Sequence, residues 1–310
     1  MKKIDVHCHL YPKEYVEEVK KRNLFTTHSL PEWKSAEDRI AVMDRFGIER
    51  QVLSPSSPFT YFEDDGLNLY LSRAINGLML GICSKYPDRF SGFINVPLCN
   101  VKQTIDELKH FIKARGILGV SVGANIHGKP LVSPEFAPFW DEVNRLSLPV
   151  MIHPVSPIGI DNVGEYKDFY RSVGFLWETT MAVGRMALSG FFDSYPNITF
   201  ILSHLGGALP FVYTSMDMCQ KRNPTKEFVP SRPLSEYFRR LYVDSARLLT
   251  VPILTCAIDL YGEKGIMFGS DIPFACDVTQ LNIPRIEGFD ISEQLRQKIL
   301  YENAKRLLKL

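Results

Sequence analysis

The sequence predicts an α/β fold in which eight parallel strands close into a (β/α)8 barrel of the TIM type. Short apolar runs alternate along the chain with longer amphipathic segments, which is the order of a parallel sheet with helical crossovers. Eight strands are the number that closes such a barrel. The candidate ligands described below end the first, fifth, sixth and eighth strands, and only a closed barrel brings those four strand ends together. An open doubly wound sheet is the alternative, but no Gly-x-Gly-x-x-Gly follows the first strand.

The predicted strands recur at intervals that are long enough to hold a helix. The fifth is typical, because Val150, Met151 and Ile152 place apolar side chains on both faces of a strand that must be covered on both sides. In chain order, the predicted strands are Lys3–Leu10, Arg50–Ser54, Phe90–Pro97, Gly119–Ala124, Pro149–Pro154, Thr199–His204, Leu241–Ser245 and Gly265–Asp271.

The segments between the strands carry apolar residues at helical spacing, which predicts amphipathic helices that cover the barrel. The final segment has the same periodicity with a more polar composition, and it closes the chain. In chain order, the predicted helices are Ala36–Phe46, Gly66–Tyr86, Val101–Ala114, Pro134–Leu146, Trp177–Tyr195, Leu209–Met218, Thr250–Tyr261 and Ile291–Lys309.

Two connections, near residues 11–31 and 155–176, are longer than the minimal loops of a barrel. Both are rich in proline, glycine, aromatic or charged residues, and connections of this length are usually functional or disordered. They follow the first and fifth strands, on the face where barrel enzymes bind their substrates. We therefore expect residues 1–310 to form one domain that carries lid or specificity loops at these two places.

The composition excludes several classes of partner. Lys and Arg number 36 and Asp and Glu number 35, a net charge of +1, which argues against a protein that binds nucleic acid through a basic face. No run of 18 apolar residues indicates a membrane span. The first strand begins so close to Met1 that we expect no signal peptide. The six cysteines are scattered without a Cys-x-x-Cys pair, which is typical of free thiols in the cytoplasm.

The first predicted strand contains His7-Cys8-His9 near its end. Because alternate residues of a strand share a face, the two histidines point the same way and Cys8 points towards the helices. Two imidazoles on one rigid strand make half of a metal site. Three further polar residues each follow or end another predicted strand, and they are His153, His204 and Asp271.

Three neutral imidazoles and one carboxylate, from His7, His9, His153 and Asp271, suit Zn²⁺ with a water molecule completing the shell. Mn²⁺ and Fe²⁺ accept the same donors. A site for two metal ions usually needs a bridging Lys or Glu at the end of the fourth strand, and residues 119–125 contain neither. We therefore expect a single divalent metal ion, with Zn²⁺ preferred and Mn²⁺ as the alternative.

His204 has three interpretations at this stage. It is a further metal ligand, a base that takes a proton from metal-bound water, or a structural histidine beneath the turn that Gly206 and Gly207 allow. Since four donors already account for the metal, the role of base is favoured.

Two acidic residues and one thiol near the same strand ends do not indicate a single role. Asp244 ends the seventh predicted strand, where it either orients a ligand histidine or caps the helix that follows. Asp5 shares the face of His7 but lies deeper, so a structural role is expected. Cys8 is interpreted as part of the packing against the helix layer and not as a ligand.

The order of these residues along the strands resembles the amidohydrolase superfamily, and in particular the amidohydrolase-2 group, which includes the aminocarboxymuconate-semialdehyde decarboxylases and related aromatic-acid decarboxylases. The resemblance runs over about residues 3–308. Its motifs are Arg39–Asp44, Trp177–Thr180, Gly190–Pro196, His204–Gly207 and Gly269–Phe274.

This resemblance implies roles for individual residues. It implies a metal bound by His7, His9, His153 and Asp271, and it implies His204 as the catalytic histidine, with Asp271 also in the catalytic machinery. Arg39, in the helix before the second strand, corresponds to an arginine that holds a substrate carboxylate. From the residues alone, a solvated helix charge paired with Asp38 or Glu37 is the favoured interpretation of Arg39.

The sequence departs from the family pattern in two places. The muconate-semialdehyde enzymes carry a second carboxylate-binding arginine shortly after the His-x-Gly-Gly segment and present it to a neighbouring subunit. The matching stretch here, Phe211–Met216, contains no arginine, which argues against a dicarboxylate held by two arginines. The loop after His153, Val155–Pro157, lacks the aromatic residue expected beside the site.

The predicted activity is a metal-dependent, non-oxidative decarboxylation of a small unsaturated or aromatic carboxylic acid, through one metal–water centre and a catalytic histidine. The alternative is hydrolysis of a lactone, amide or ester by the same residues. A barrel that binds a metal or ligand without catalysis is a third, less favoured class. The expected partners are a small carboxylate substrate and, because related enzymes often form dimers, a second copy of the chain.

Overall fold

The computed structural model describes residues 1–22, 30, 33, 35–156, 169–222, 230–246, 250–274 and 283–310. Parts of both predicted lid loops, 23–29 with 31 and 157–168, therefore lie outside the described residues, as does Cys276. The described start of the first loop contains a helix, because Tyr15, Val16 and Val19 form a buried apolar face.

Eight parallel strands form one sheet, and each strand pairs with the next in chain order. They are β1 Lys3–His9, β2 Ile48–Ser54, β3 Phe90–Asn95, β4 Ile117–Gly123, β5 Pro149–His153, β6 Thr199–Leu202, β7 Tyr242–Asp244 and β8 Ile266–Met267. A short antiparallel pair, Asn125–Ile126 with Lys129–Pro130, follows β4.

Backbone hydrogen bonds join the end of the sheet to its beginning. The amide of Val6 donates to the carbonyl of Phe268 over 2.9 Å, and the amide of Asp271 donates to the carbonyl of His7 over 2.8 Å. The amide of His9 donates to the carbonyl of Ile272 over 2.7 Å. The sheet is therefore a nearly closed barrel, and the predicted (β/α)8 architecture is confirmed.

Helices cover the outside of the barrel, and several begin at a side-chain cap. Ser35, Asp64, Asn100 and Thr250 each accept a hydrogen bond from the backbone amide three residues later, which satisfies a donor that the first turn leaves open. The helices are α1 Lys13–Lys21, α2 Ala36–Phe46, α3 Asp65–Lys85, α4 Val101–Phe111, α5 Ala137–Arg145, α6 Phe175–Leu188, α7 Phe191–Ser194, α8 Leu209–Arg222, α9 Leu234–Phe238, α10 Val251–Tyr261, α11 283–288, α12 Glu293–Gln297 and α13 Asn303–Leu308.

Two details of the helices differ from the sequence-based expectation. The predicted helix Trp177–Tyr195 is two helices, because the chain turns at Gly190 with φ 71°. The last predicted helix is interrupted by a π-helical turn at Lys298–Glu302. Another π-helical turn, Tyr170–Gly174, leads directly into α6.

The strands carry two different apolar layers. Inward-facing residues from six strands form one buried cluster, which the C-terminal residues Ala304 and Leu308 join from α13. The neighbouring residues on the same strands belong to a larger cluster between the barrel and its helices. The strand residues of the inner cluster are Ile4, Val6, Val52, Phe93, Met151, Ile201 and Met267. We call this cluster the apolar inner layer.

Among the residues that the structure describes, none of the helices is both long and apolar enough to cross a membrane.

Candidate metal centre and active site

The polar residues predicted from the strand ends meet at one end of the barrel. His7 and His9 lie on β1, His153 is the last residue of β5, and His204 and Asp271 follow β6 and β8. All five are buried, with at most 7% of any residue exposed. Because parallel strands of a barrel end at a common face, residues that are far apart in the sequence become neighbours.

The distances within this cluster suit a small central ion. One donor atom from each of His7, His153, His204 and Asp271 lies within 4.8 Å of all the others. The Nε2 atoms of His7 and His9 are 2.9 Å apart. Asp271 Oδ1 is 3.4 Å from His7 Nε2 and 3.3 Å from His9 Nε2. The structure therefore brings together all four predicted ligands and also His204.

Hydrogen bonds on the outer nitrogens fix the orientation of three rings. His7 Nδ1 lies 2.7 Å from Asp244 Oδ2, His9 Nδ1 lies 3.3 Å from the carbonyl of Ser54, and His153 Nδ1 lies 2.7 Å from the carbonyl of Pro154. Carbonyls and carboxylates only accept hydrogen bonds, so we assign the proton to Nδ1 in each ring. In the neutral form of each ring, Nε2 then directs its lone pair into the cluster.

This arrangement fits one divalent metal ion. Two Nε2 lone pairs only 2.9 Å apart repel each other unless a proton or a cation lies between them. Burial lowers the pKa of His9 to about 4 and holds that of His153 well below its usual range. Burial acts the same way on His7, but the carboxylates of Asp244 and Asp271 together outweigh it and raise the pKa of His7 to about 10. His9 and His153 therefore stay neutral, and a divalent cation can replace the proton that His7 holds. With the carboxylate of Asp271, these imidazoles form a donor set that suits a divalent cation.

Asp244 contacts the cluster in two ways. Besides its bond to His7, its Oδ1 accepts hydrogen bonds from the amides of His204, over 3.0 Å, and Ala246, over 2.9 Å. One carboxylate thus orients a predicted ligand and also holds the backbone of the predicted catalytic histidine. Of the two interpretations from the sequence, the ligand-orienting one is supported by a direct contact.

The backbone at His204 adopts an unfavourable conformation. β6 ends at Leu202, two residues earlier than the sequence predicts, and His204 and Leu205 have φ values of 55° and 58°. Gly206 and Gly207 follow with φ values of 72° and 71°. A Cβ atom would lie 2.4 Å from Tyr261 Oη at the first and 2.1 Å from the carbonyl of Leu176 at the second. These glycines are needed for the turn, as expected, and strain of this kind clusters at functional sites.

Asp271 is the second site residue with this backbone conformation, because its φ is 62°. Nearby, Asp5 accepts hydrogen bonds from the amide and the hydroxyl of Ser270, over 2.9 and 2.6 Å, and from the Gln51 side chain over 2.8 Å. The expected structural role of Asp5 therefore includes support for the segment that carries Asp271.

Arg39 lies behind β1. It is 9% exposed, and its guanidinium donates to the carbonyl of His9 over 3.1 Å and to Gln51 Oε1 over 3.4 Å. The guanidinium carbon also lies 4.8 Å from the centre of the Trp33 ring. Arg39 is therefore not a solvated helix charge, and the contacts described here support the backbone of a predicted ligand. Its contact with substrate stays a prediction.

A cavity opens beside the cluster. Its floor contains His153, His204 and Asp271, and its remaining described lining combines two aromatic rings, two hydroxyls and one guanidinium. These lining residues are Phe175, Phe274, Ser56, Ser57 and Arg171. Only Phe274 belongs to a motif that the sequence singled out. Arg171 and Phe175 lie in the part of the chain predicted as a specificity loop, 155–176, whereas Ser56 and Ser57 follow β2. The sequence does not reveal which side chains of these segments face the cavity.

Glu178 is another residue that sequence reasoning did not single out by role. From α6 it accepts hydrogen bonds from the amides of Val155, over 3.0 Å, and Ser156, over 3.3 Å, and from Asn125 Nδ2 over 2.6 Å. Burial raises its pKa to about 7. The side chain thus holds the segment that directly follows His153.

Comparison with known protein families gives a match over almost the whole chain. The model of the family described as amidohydrolase matches residues 4–310. The chain belongs to this amidohydrolase family. It is therefore an enzyme of the amidohydrolase superfamily, as the sequence resemblance predicted.

Individual amidohydrolases resemble the chain over most of its length. The 2-amino-3-carboxymuconate-6-semialdehyde decarboxylase of Dictyostelium discoideum is 28% identical, over 99% of this chain and 92% of that protein. The gamma-resorcylate decarboxylase of a Rhizobium species is 30% identical, over 88% of this chain and 86% of that protein. A dihydroxybenzoic acid decarboxylase from Polaromonas, solved with bound manganese and the inhibitor 2-nitroresorcinol, is 25% identical with a TM-score of 0.85, over 100% of this chain and 97% of that chain.

Proposed function

We propose that this protein is a metal-dependent, non-oxidative decarboxylase that removes CO₂ from a small aromatic carboxylic acid. One observation carries the proposal. A buried cluster of imidazoles and a carboxylate forms the floor of a cavity whose walls include two phenylalanine rings. The three relatives described above are named decarboxylases of unsaturated or aromatic acids, in agreement with the activity predicted from the sequence.

His7, His9, His153 and Asp271 would hold the metal ion, as the resemblance implies. When bound, a divalent ion supplies positive charge that stabilises the electrons released from the carboxylate bond. We propose Zn²⁺ or Mn²⁺ for this position. The imidazole-rich donor set suits Zn²⁺, whereas the related Polaromonas enzyme binds manganese.

Residues of the chain would supply the proton that replaces the carboxylate. Decarboxylation breaks the bond between a ring carbon and the carboxylate, leaves the electron pair on the ring, and requires one proton at that carbon. His204 and Asp271 both line the cavity, and His204 Nε2 lies 3.7 Å from Asp271 Oδ2. We propose that this pair delivers the proton while Phe175 and Phe274 exclude water from the ring. Arg39 remains a candidate for holding the carboxylate.

Hydrolysis of a lactone, amide or ester would use the same residues, so the reaction must be tested directly. Metal-reconstituted protein is offered 2,6-dihydroxybenzoate, 5-carboxyvanillate and 2-amino-3-carboxymuconate 6-semialdehyde, and CO₂ release is measured with and without added Zn²⁺ or Mn²⁺. Metal-dependent CO₂ release from any of them is the expected result. No CO₂ release, combined with cleavage of lactone or amide substrates, would refute the proposal in favour of hydrolysis.

We further propose that residues 1–310 form one domain and that the protein works in the cytoplasm. The five cysteines within the described residues, Cys8, Cys83, Cys99, Cys219 and Cys256, are all free thiols, as is usual in a reducing compartment.

A homodimer is the proposed assembly, and exposed apolar residues on two adjacent helices support it. Trp177 on α6 is 51% exposed and Phe211 on α8 is 84% exposed. The two helices touch, since a Cβ on Gly184 would lie 2.9 Å from Met216 Cε. Contiguous patches of exposed apolar side chains mark interaction surfaces, and we propose that Trp177 and Phe211 belong to one such patch. We expect Phe211→Glu to shift the mass measured by light scattering from two chains to one, and an unchanged mass would reject this face as the interface.

A further inference from the structure

Arg171 lines the cavity beside the metal-ligand cluster. Of the lining residues that the structure describes, it is the one with a permanent positive charge. It shares the cavity with His153, His204 and Asp271. The other arginine considered for substrate binding, Arg39, does not belong to this described lining and instead donates to the carbonyl of His9.

The neighbours of Arg171 fix its place in the fold. It lies in the π-helical turn Tyr170–Gly174, and such wide turns frequently occur at functional sites. Directly before it, the hydroxyl of Tyr170 donates to the carbonyl of Val155 over 2.8 Å. The ring of Tyr170 also packs at 4.9 Å against the ring of Phe175. The turn is therefore fastened on both sides of Arg171.

Val155 and Phe175, which Tyr170 contacts, also lie close to the cavity and to the predicted site residues. The carbonyl of Val155 also accepts a hydrogen bond from Ser57 Oγ over 2.7 Å, and Ser57 lines the cavity as well. The ring centre of Phe175 lies 6.2 Å from that of His153 and 6.4 Å from that of His204. The turn that carries Arg171 is thus held to the segment after His153 and to the cavity wall, not to a distant part of the surface.

The cavity's chemistry matches one class of ligand. Two phenylalanine rings suit a flat aromatic ring, two serine hydroxyls suit phenolic oxygens, and a guanidinium suits a carboxylate, which it binds through two parallel hydrogen bonds. We propose that Arg171 binds the carboxylate of aromatic acids in this cavity and makes the enzyme select them over neutral phenols. This inference rests on the proposed function and adds a specificity residue to it.

The experiment compares the binding of a charged and a neutral ligand. Salicylate and its uncharged relative salicylamide are titrated by calorimetry into metal-reconstituted wild type, Arg171→Met and Arg171→Lys. The matched control is Arg185→Met, which removes an arginine from the exposed side of α6. Metal content is measured for every variant, so that a change at the metal centre is not mistaken for a loss of the guanidinium.

We expect Arg171→Met to weaken salicylate binding about 10- to 100-fold, since a hydrogen bond to a charged group contributes about 1.5–3 kcal/mol. Salicylamide binding should change less than about threefold, and Arg171→Lys should restore part of the salicylate affinity because it keeps the charge without the fork geometry. The Arg185→Met control should bind both ligands like the wild type.

Two results would overturn the inference. One is unchanged salicylate affinity in Arg171→Met, and the other is an equal loss for salicylate and salicylamide, which indicates a structural role. If Arg171→Met does not fold or retain metal, Arg171→Lys provides the test. A loss of affinity for salicylate but not for salicylamide supports the inference, and an equal loss for both, or no loss, overturns it. Wild type that binds salicylate through Arg171 but releases no CO₂ from any acid would refute the proposed function alone.

Discussion

The two ends of the barrel interior differ in chemistry although the same strands build both. The apolar inner layer contains Met151, Ile201 and Met267, each of which is fully buried among other apolar side chains. His153, a predicted metal ligand, lies two residues after Met151 on the same face of β5. The end that holds the apolar inner layer therefore contributes packing to stability. The other end combines polar groups that could bind a ligand.

The backbone differs between the two ends as well. The strand residues of the apolar inner layer lie within strands and none of them has a positive φ, whereas His204 and Asp271 lie beyond the strand ends with positive φ. Such conformations cost free energy that the surrounding structure must offset. The inner layer and the site residues therefore differ in backbone conformation. We expect mutations in the inner layer to change stability and mutations at the site to change metal binding and activity. Four predictions test that separation.

The largest effect is expected at the ligand cluster. His153→Ala removes one of four predicted donors and leaves the other three, so metal content should fall to a small fraction of one ion per chain and activity should fall by more than about 100-fold. Metal analysis and CO₂ release measure both. A variant that keeps full metal occupancy would show that His153 is not a ligand.

Met151→Ala tests the other end of the same strand face. Removing most of a fully buried side chain should lower the free energy of unfolding by about 2–5 kcal/mol. Chemical denaturation measures this loss. The folded fraction should still bind one metal ion per chain, and loss of metal from folded protein would break the proposed separation of the two layers.

Asp244→Asn tests whether this carboxylate contributes to metal binding at the end of the barrel that carries the predicted ligands. Asparagine keeps the size of the side chain but removes the charge that faces His7 Nδ1, so metal affinity should fall about 10- to 100-fold. Competition with a chelator measures this affinity. Little change in unfolding midpoint of the metal-free protein is expected, and a large drop there would make Asp244 a mainly structural residue.

Glu178 provides a smaller, pH-dependent effect next to the site. Its pKa in the folded protein is raised to about 7 by burial, so the folded state holds its proton more tightly than the unfolded state does. Folding stability from this group is therefore present at low pH and is lost as the pH rises from about 4.5 through 7.

Comparison with Glu178→Gln isolates that contribution. Between pH 5 and pH 8 the stability of the wild type should fall relative to the variant by up to about 2.5 kcal/mol, because one pKa unit corresponds to about 1.4 kcal/mol. Denaturant unfolding at the two pH values measures the difference. A constant difference would mean that Glu178 is already ionised throughout this range.

Much of the fold could be predicted because burial on both faces of a strand leaves a direct trace in the sequence. Val150, Met151 and Ile152 are all fully buried, and the strand they belong to was expected within one residue of its observed end. Helix α2 was expected with its observed bounds because its apolar residues recur at helical spacing. Helix α1 was missed as a helix, because its short apolar face lies within a long connection that suggested a lid.

The candidate site was predictable in part. His7, His9, His153 and Asp271 could be found because each lies where an apolar strand ends, and barrel geometry brings such positions together. Arg171 and Ser57 had no comparable pattern, since their connection to the cavity depends on how two loops fold back on the carbonyl of Val155.

By itself, the sequence determined the alternation of strands and helices, the family and the residues predicted to bind a metal, because these depend on local periodicity and on residue type. Only the tertiary structure decided that Arg39 faces the back of β1, that Asp244 orients His7, and that Arg171 lines the cavity. Each of these depends on the distance between atoms that are far apart in the chain. Such distances are set by the packing of the whole barrel, which no local pattern records.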